Sequence, residues 1–202
     1  MGLDIIFSIA VLVMSVVVHE VAHGAVANYF GDPTARLAGR LSLNPVRHLD
    51  LFGSIIVPLL LALTGSGIIF GWAKPVPVNT YNLRGKYSDM LVSFAGPASN
   101  IILAILFGLI IRFFGGVLPL SFLSISAAVV LINIMLAVFN LIPIPPLDGS
   151  KILFSFLPQS SQFIDFIERY SIFILIFFIL FLWQFILPIV RFLFGILTGI
   201  GG

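Results

Sequence analysis

The chain has 202 residues, 60% of them hydrophobic and only 9% charged, with a formal net charge of +2 and a mean hydropathy of +1.20. That balance excludes an ordinary soluble domain, in which about a quarter of residues are charged, and calls for a lipid environment. The ten basic side chains are scattered singly, which argues against a nucleic-acid partner, and the absence of cysteine excludes disulfides, thiolate metal sites and thiol nucleophiles.

A membrane crossing takes about 20 apolar residues, so the length has room for four to six membrane segments and little else. The expected fold is an all-α polytopic membrane protein with four to five membrane helices, a re-entrant segment and short interfacial β-strands. No linker, internal repeat or polar tail marks a second module, so 1–202 reads as one domain, with a core over 3–157 and a C-terminal membrane helix or pair of helices over 170–198. Leu3 to Tyr29 is apolar apart from Asp4, Ser8, Ser15 and the group His19 to His23, and Gly31-Asp32-Pro33 ends it. It lacks a basic flank and a small-residue cleavage site, and reads as a permanent helix.

Residues 31–50 form a mixed loop in which Arg40-Leu41-Ser42-Leu43 alternates like a short strand. Leu51 to Leu63 is apolar but too short for a clean crossing, and Thr64-Gly65-Ser66-Gly67 breaks it before Ile68-Ile69-Phe70, the pattern of a re-entrant segment. Trp72 to Asn79, with Pro75 and Pro77 at alternate positions, suits an extended edge segment, and Tyr81 to Asp89 is polar. Met90 to Phe114 is a second long helix, in which Gly96-Pro97 favours close packing on the first. Phe122 to Leu141 is a third, stopped by Pro143, Pro145 and Pro146. Leu147 to Leu157 is weakly helical, 158–169 is amphipathic, and Tyr170 to Leu197 is long enough to span, with a kink at Pro188.

His19-Glu20-Val21-Ala22-His23 has the His-Glu-x-x-His spacing. On a helix, positions four apart share a face, so both imidazoles can reach one ion, and Glu20 stands beside it as a base for water rather than a ligand. The bland alternative is a chance trio of hydrogen-bonded polar groups. Against it stands the cost of charge in a membrane helix, from about 2.5 kcal/mol upward, which is seldom met without a function. His48, the remaining histidine, follows Asn44-Pro45 in a polar loop and reads as a loop brace. A catalytic zinc takes three protein ligands and one open position. Of the other acids, only Asp148 lies at a helix break inside an apolar stretch, although Asp148-Gly149 is equally a common turn pair.

Together, the His19–His23 motif in a membrane helix, Phe94-Ala-Gly-Pro-Ala-Ser-Asn100 and the later Asn140-Leu-Ile-Pro143-Ile-Pro145-Pro146-Leu-Asp148-Gly149 resemble the site-2 protease family of intramembrane metalloproteases over roughly residues 10–155. The resemblance implies one Zn2+ per chain held by His19, His23 and Asp148, Glu20 as base, and Asn140 near the substrate carbonyl or strand. Asn140 could instead brace the proline-broken backbone. It also implies transmembrane protein substrates. Family members often carry a PDZ or CBS domain, for which this sequence has no room.

Two other functions compete: a metal transporter, which should show a continuous polar path and often a repeat, and an inactive scaffold that grasps membrane helices. Neither a polar path nor a loss of catalytic-type residues is visible. Topology follows from closing the zinc site. If Leu51–Phe70 dips in and returns, the first and third long helices run parallel and Asp148 emerges beside His19 and His23. Arg36, Arg40, Arg47, Lys74, Arg84, Lys86, Lys151 and Arg169 then share one side, leaving Arg112 and Arg191 for the other. By the positive-inside rule, the active site faces the cytoplasm across the cell membrane of a prokaryote.

Overall fold

The computed structural model describes residues 2–56, 73–158 and 161–200. Helix α1, Gly2–Tyr29, has 28 residues, about 42 Å at 1.5 Å per residue and enough to cross a bilayer. It stops where Gly31 takes a left-handed φ of 105°, a conformation that costs a side-chain-bearing residue and not glycine. The turn is locked by Asp32, which is fully buried and accepts hydrogen bonds from the backbone N–H of Asn79 (2.7 Å) and from Asn82 Nδ2 (2.9 Å). Burial pushes a carboxyl up, but the bonds from Asn82, Thr34 and Asn79 outweigh it and hold Asp32 below its ordinary value. The Arg84 N–H also donates to the Phe30 carbonyl at 2.8 Å. Residues 79–84 are thereby pinned to the end of α1.

Between these points lies the short helix α2, Thr34–Leu37, and a 3₁₀ turn at Pro45–His48. Among the described residues there is no β-strand, so the strand expected around Arg40–Leu43 does not form. The alternation has another cause. Leu41 packs beside Gly24 of α1, while the neighbouring arginines cross-tie the loop, Arg47 Nη1 donating to the Gly39 carbonyl at 2.7 Å and Arg40 to the Arg47 carbonyl. Residues 73–79 belong to no helix and no strand, with only Asn79 shown in an extended backbone conformation. His48 is buried, its Nε2 donating to the Ser42 carbonyl at 2.8 Å and its own carbonyl accepting from Lys74, which makes it the loop brace expected. Leu51–Ile56 form a π-helical turn. The re-entrant reading of Leu51–Phe70 otherwise falls on 57–70, outside the described residues.

Helix α3 covers Ser88–Phe114 and α4 Leu120–Asn140. A run of tight turns through the prolines leads to α5, Asp148–Phe154, and then α6, Gln162–Phe177. The last helix, α7, covers Ile186–Thr198. Between α6 and α7 the chain winds through a π turn at Phe178–Leu182 and a 3₁₀ turn at Trp183–Phe185. Pro188 disturbs only the turn just ahead of it, Trp183–Phe185, where its missing N–H and its ring meet the backbone.

Among the described residues, four helical stretches are long and apolar enough to cross a membrane: Ile6–Tyr29, Ser88–Phe114, Leu120–Asn140 and Gln162–Thr198. Large apolar side chains point outward, among them Ile102, Leu106, Phe113, Ile172 and Phe173, while Ser15, Asn100, Ser126 and Asn133 are buried. Small and polar groups inside with apolar groups outside is the arrangement of helices packed in lipid. An apolar core of Ala104, Ile111, Val130, Ile134, Phe178, Ile186 and Val190 joins α3, α4 and the C-terminal helices. Val92 meets His23 and Asn100 meets Ser15, so α3 runs antiparallel to α1. Asn133 meets Ser15, and Asn140 shares a cavity with His19 and His23, so α4 runs parallel to α1. This is the parallel pair the zinc-site argument requires.

Candidate metal centre

The four-residue spacing of His19 and His23 turns both rings to the α3 side of α1. Each ring is oriented through Nδ1: His23 Nδ1 donates to the Val92 carbonyl at 2.7 Å, and His19 Nδ1 to Asn100 Oδ1 at 2.6 Å. With the proton on Nδ1, a neutral imidazole presents its lone pair at Nε2. The proline-broken connection after α4 brings Asp148, the first residue of α5, to the same place. Gly149 makes this possible, because a Cβ there would lie 2.2 Å from the Leu141 carbonyl oxygen.

The three atoms form a nearly equilateral triangle. His19 Nε2 lies 3.1 Å from Asp148 Oδ2, His23 Nε2 lies 3.2 Å from it, and the two Nε2 atoms are 3.1 Å apart. Tetrahedral zinc with bonds of about 2.0–2.1 Å separates its ligand atoms by about 3.3 Å. His19, His23 and Asp148 are 6%, 9% and 9% exposed. Three electron pairs facing one another in so dry a place repel unless a cation lies among them, so the donor set fits zinc in number, type and spacing.

Room for an ion comes from Gly96. A Cβ built there would stand 2.4 Å from His23 Nε2 and 2.5 Å from His19 Nε2. Sequence singled out this glycine for helix packing, and the structure gives it a sharper duty, since the Cα faces the imidazoles themselves. Glu20 is half-buried, and its Oε2 accepts the Val76 N–H at 2.7 Å. Pro75 and Pro77 have no N–H, which leaves Val76 as the backbone donor between Lys74 and Val78. A cavity of about 810 Å3 opens onto His19, Glu20, His23 and Asp148. Asn140 is on its wall, with its Nδ2 donating to the Leu136 carbonyl at 2.9 Å. The expected residues thus come together.

Sequence reading missed three more: Ser15, Asn100 and Asn133, which lie buried behind His19 and are bonded to one another. The available signal was the rarity of asparagine inside apolar helices, where an amide must find a partner. Their identities as partners lay beyond it, because they come from three helices.

The model of peptidase family M50 matches residues 7–124 and 115–182. Two bacterial proteins that carry the name "Putative zinc metalloprotease" are similar to this chain. YwhC of Bacillus subtilis (strain 168) is 39% identical over 160 residues, covering 75% of this chain and 69% of YwhC. Rip2 of Mycolicibacterium smegmatis is 34% identical over 154 residues, covering 71% of this chain and about half, 54%, of Rip2. No solved structure matches. The chain belongs to peptidase family M50, and is a membrane-embedded zinc metalloprotease of the site-2 protease kind.

Proposed function

We propose that this chain, as one membrane domain over 1–202, hydrolyses peptide bonds in or near transmembrane segments of membrane proteins, with His19, His23 and Asp148 holding one zinc ion and Glu20 acting as general base. The observation that supports it best is the triangle of three metal-seeking atoms beside a carboxylate that is itself tied back. Bound there, zinc supplies Lewis-acid polarisation of the scissile carbonyl and of water. Glu20 does the proton work. With Oε2 held by the Val76 N–H, the carboxylate cannot swing onto the metal, and its other oxygen takes the proton from water and passes it to the leaving amine. Asn140 lines the cavity, and its part in this reading is to hold the substrate's backbone. The transporter reading finds less support, because the polar side chains Ser15, Asn100 and Asn133 are bonded to one another and to His19 rather than lining a path. Purified protein should cleave membrane-helix substrates with about one zinc per chain and lose activity on chelation. Cleavage that survives complete removal of metal would overturn the reading.

Asp148→Ala separates ligation from a mere Asp-Gly turn. Losing a ligand should cost more than the roughly 10–100-fold that loss of a supporting partner costs, so zinc affinity should fall by at least about a hundredfold. Metal content equal to the parent's under mild chelation would remove Asp148 from the ligand set.

We further propose that the site faces the cytoplasm across the plasma membrane. Support comes from the antiparallel α1 and α3, whose adjoining ends are pinned by the Arg84–Phe30 bond, so that the intervening chain leaves and returns on one side. The basic residues of that side outnumber those opposite. Because the chain has no cysteine, single cysteines at positions 36, 84 and 112 can be labelled with an impermeant reagent. Positions 36 and 84 should label from the cytoplasmic side and 112 from the other. Labelling of 36 and 84 from opposite sides would exclude a re-entrant 51–70.

A further inference from the structure

The two zinc-facing histidines are held in different ways. His23 leans on a backbone carbonyl, which cannot change its polarity, whereas His19 leans on the Asn100 amide, which presents an acceptor or a donor according to how it is turned. What turns it lies further back. Asn133 Nδ2 donates to the Val129 carbonyl and to Ser15 Oγ, both at 2.8 Å. The Val129 carbonyl only accepts, so the Asn133 amide has one orientation, with Oδ1 toward Asn100. Asn100 Nδ2 donates to that oxygen at 2.8 Å and reaches the Ser15 carbonyl at 3.4 Å. Asn100 is therefore turned in its own right, and only its Oδ1 is left for His19 Nδ1, 2.6 Å away. Both asparagines are 0% exposed, so no water offers an alternative partner and a reversed amide would leave buried polar groups unpaired.

We infer that Asn133 and Asn100 are positioning residues, a two-amide relay that carries the fixed polarity of the Val129 carbonyl in α4 to His19 in α1 and so keeps the Nε2 lone pair on the metal. Helix glue alone would need the amides to satisfy one another, with no preference for which end meets the histidine. The relay has a direction, and that direction is the one a metal ligand requires. This inference rests on the zinc reading of the site.

The test measures zinc affinity of the full detergent-purified chain by competition with a chelator, with folding followed separately by thermal unfolding. Asn100→Leu removes the acceptor at similar volume and should weaken zinc binding about 10–100-fold, the usual cost of losing an outer partner of a metal-bound histidine. Asn100→Asp keeps an oxygen opposite Nδ1 and should stay within about threefold of the parent. Asn133→Ala, which never touches His19, frees the Asn100 amide to turn and should cost about three- to tenfold, with little added when Asn100 is already Leu. A folded Asn100→Leu chain with the parent's affinity would overturn the relay, as would an Asn100→Asp chain as weak as Asn100→Leu. Should Asn100→Leu not fold, Asn133→Ala decides, and unchanged affinity there overturns the proposal. A parent that binds no zinc would sink the metal site itself and leave that failure distinct from this one.

Discussion

Glu20→Gln should leave zinc bound and reduce peptide hydrolysis by at least about 10²- to 10⁴-fold, the usual contribution of a positioned acid–base group. The substitution is conservative in every respect but one. Glutamine keeps an oxygen to accept the Val76 N–H, so the tie between α1 and the 73–79 segment survives, and neither imidazole loses its partner. What disappears is the ability to take up a proton. Zinc per chain and thermal stability should therefore match the parent while turnover of a membrane-helix substrate collapses. Turnover above a tenth of the parent's would show that another group accepts the proton, and loss of zinc would show that Glu20 ligates after all.

The catalytic motif was legible because its logic is local. A helix turns by a fixed angle per residue, so His19 and His23 share a face whatever surrounds them. Asp148 was legible only in part through chemistry, since a carboxylate at a helix break in an apolar stretch needs a reason to be there and an Asp-Gly turn supplies one equally well, so that the resemblance of the Asn140–Gly149 segment had to make the choice. The Ser15–Asn133–Asn100–His19 chain was not legible. Its members sit on three helices, and which faces meet is decided by packing that no periodicity in a uniformly apolar sequence records. The same limit explains Arg40–Leu43, where alternation reflected one leucine docked at Gly24 and two arginines tying a loop, not a strand. Alternation says which side chains turn inward and nothing about whether a second strand is present to pair with.

The largest effect from the smallest change is expected at Gly96. A methyl group there would lie 2.4 Å from His23 Nε2, 2.5 Å from His19 Nε2 and 2.6 Å from His19 Cε1, well inside the carbon–nitrogen contact distance of about 3.5 Å. Two relaxations are open. The rings swing away, which parts the Nε2 atoms from Asp148 Oδ2 and breaks the bonds of Nδ1 to Asn100 and Val92, or α1 and α3 move apart, which opens the same triangle from behind. Either way the metal site is lost before the fold is, because overpacking by a methyl costs about 1–3 kcal/mol while the ligand set depends on spacings near 3 Å. Gly96→Ala should therefore bind zinc at least about a hundredfold more weakly than the parent, beyond the loss of an outer partner, and lose hydrolytic activity with it. Gly116→Ala is the control, since a Cβ at that turn meets nothing within 4 Å, and it should bind zinc as the parent does. Gly96→Ala with the parent's zinc affinity would mean that the α1–α3 interface yields without disturbing His19 and His23, and that the glycine serves helix packing alone.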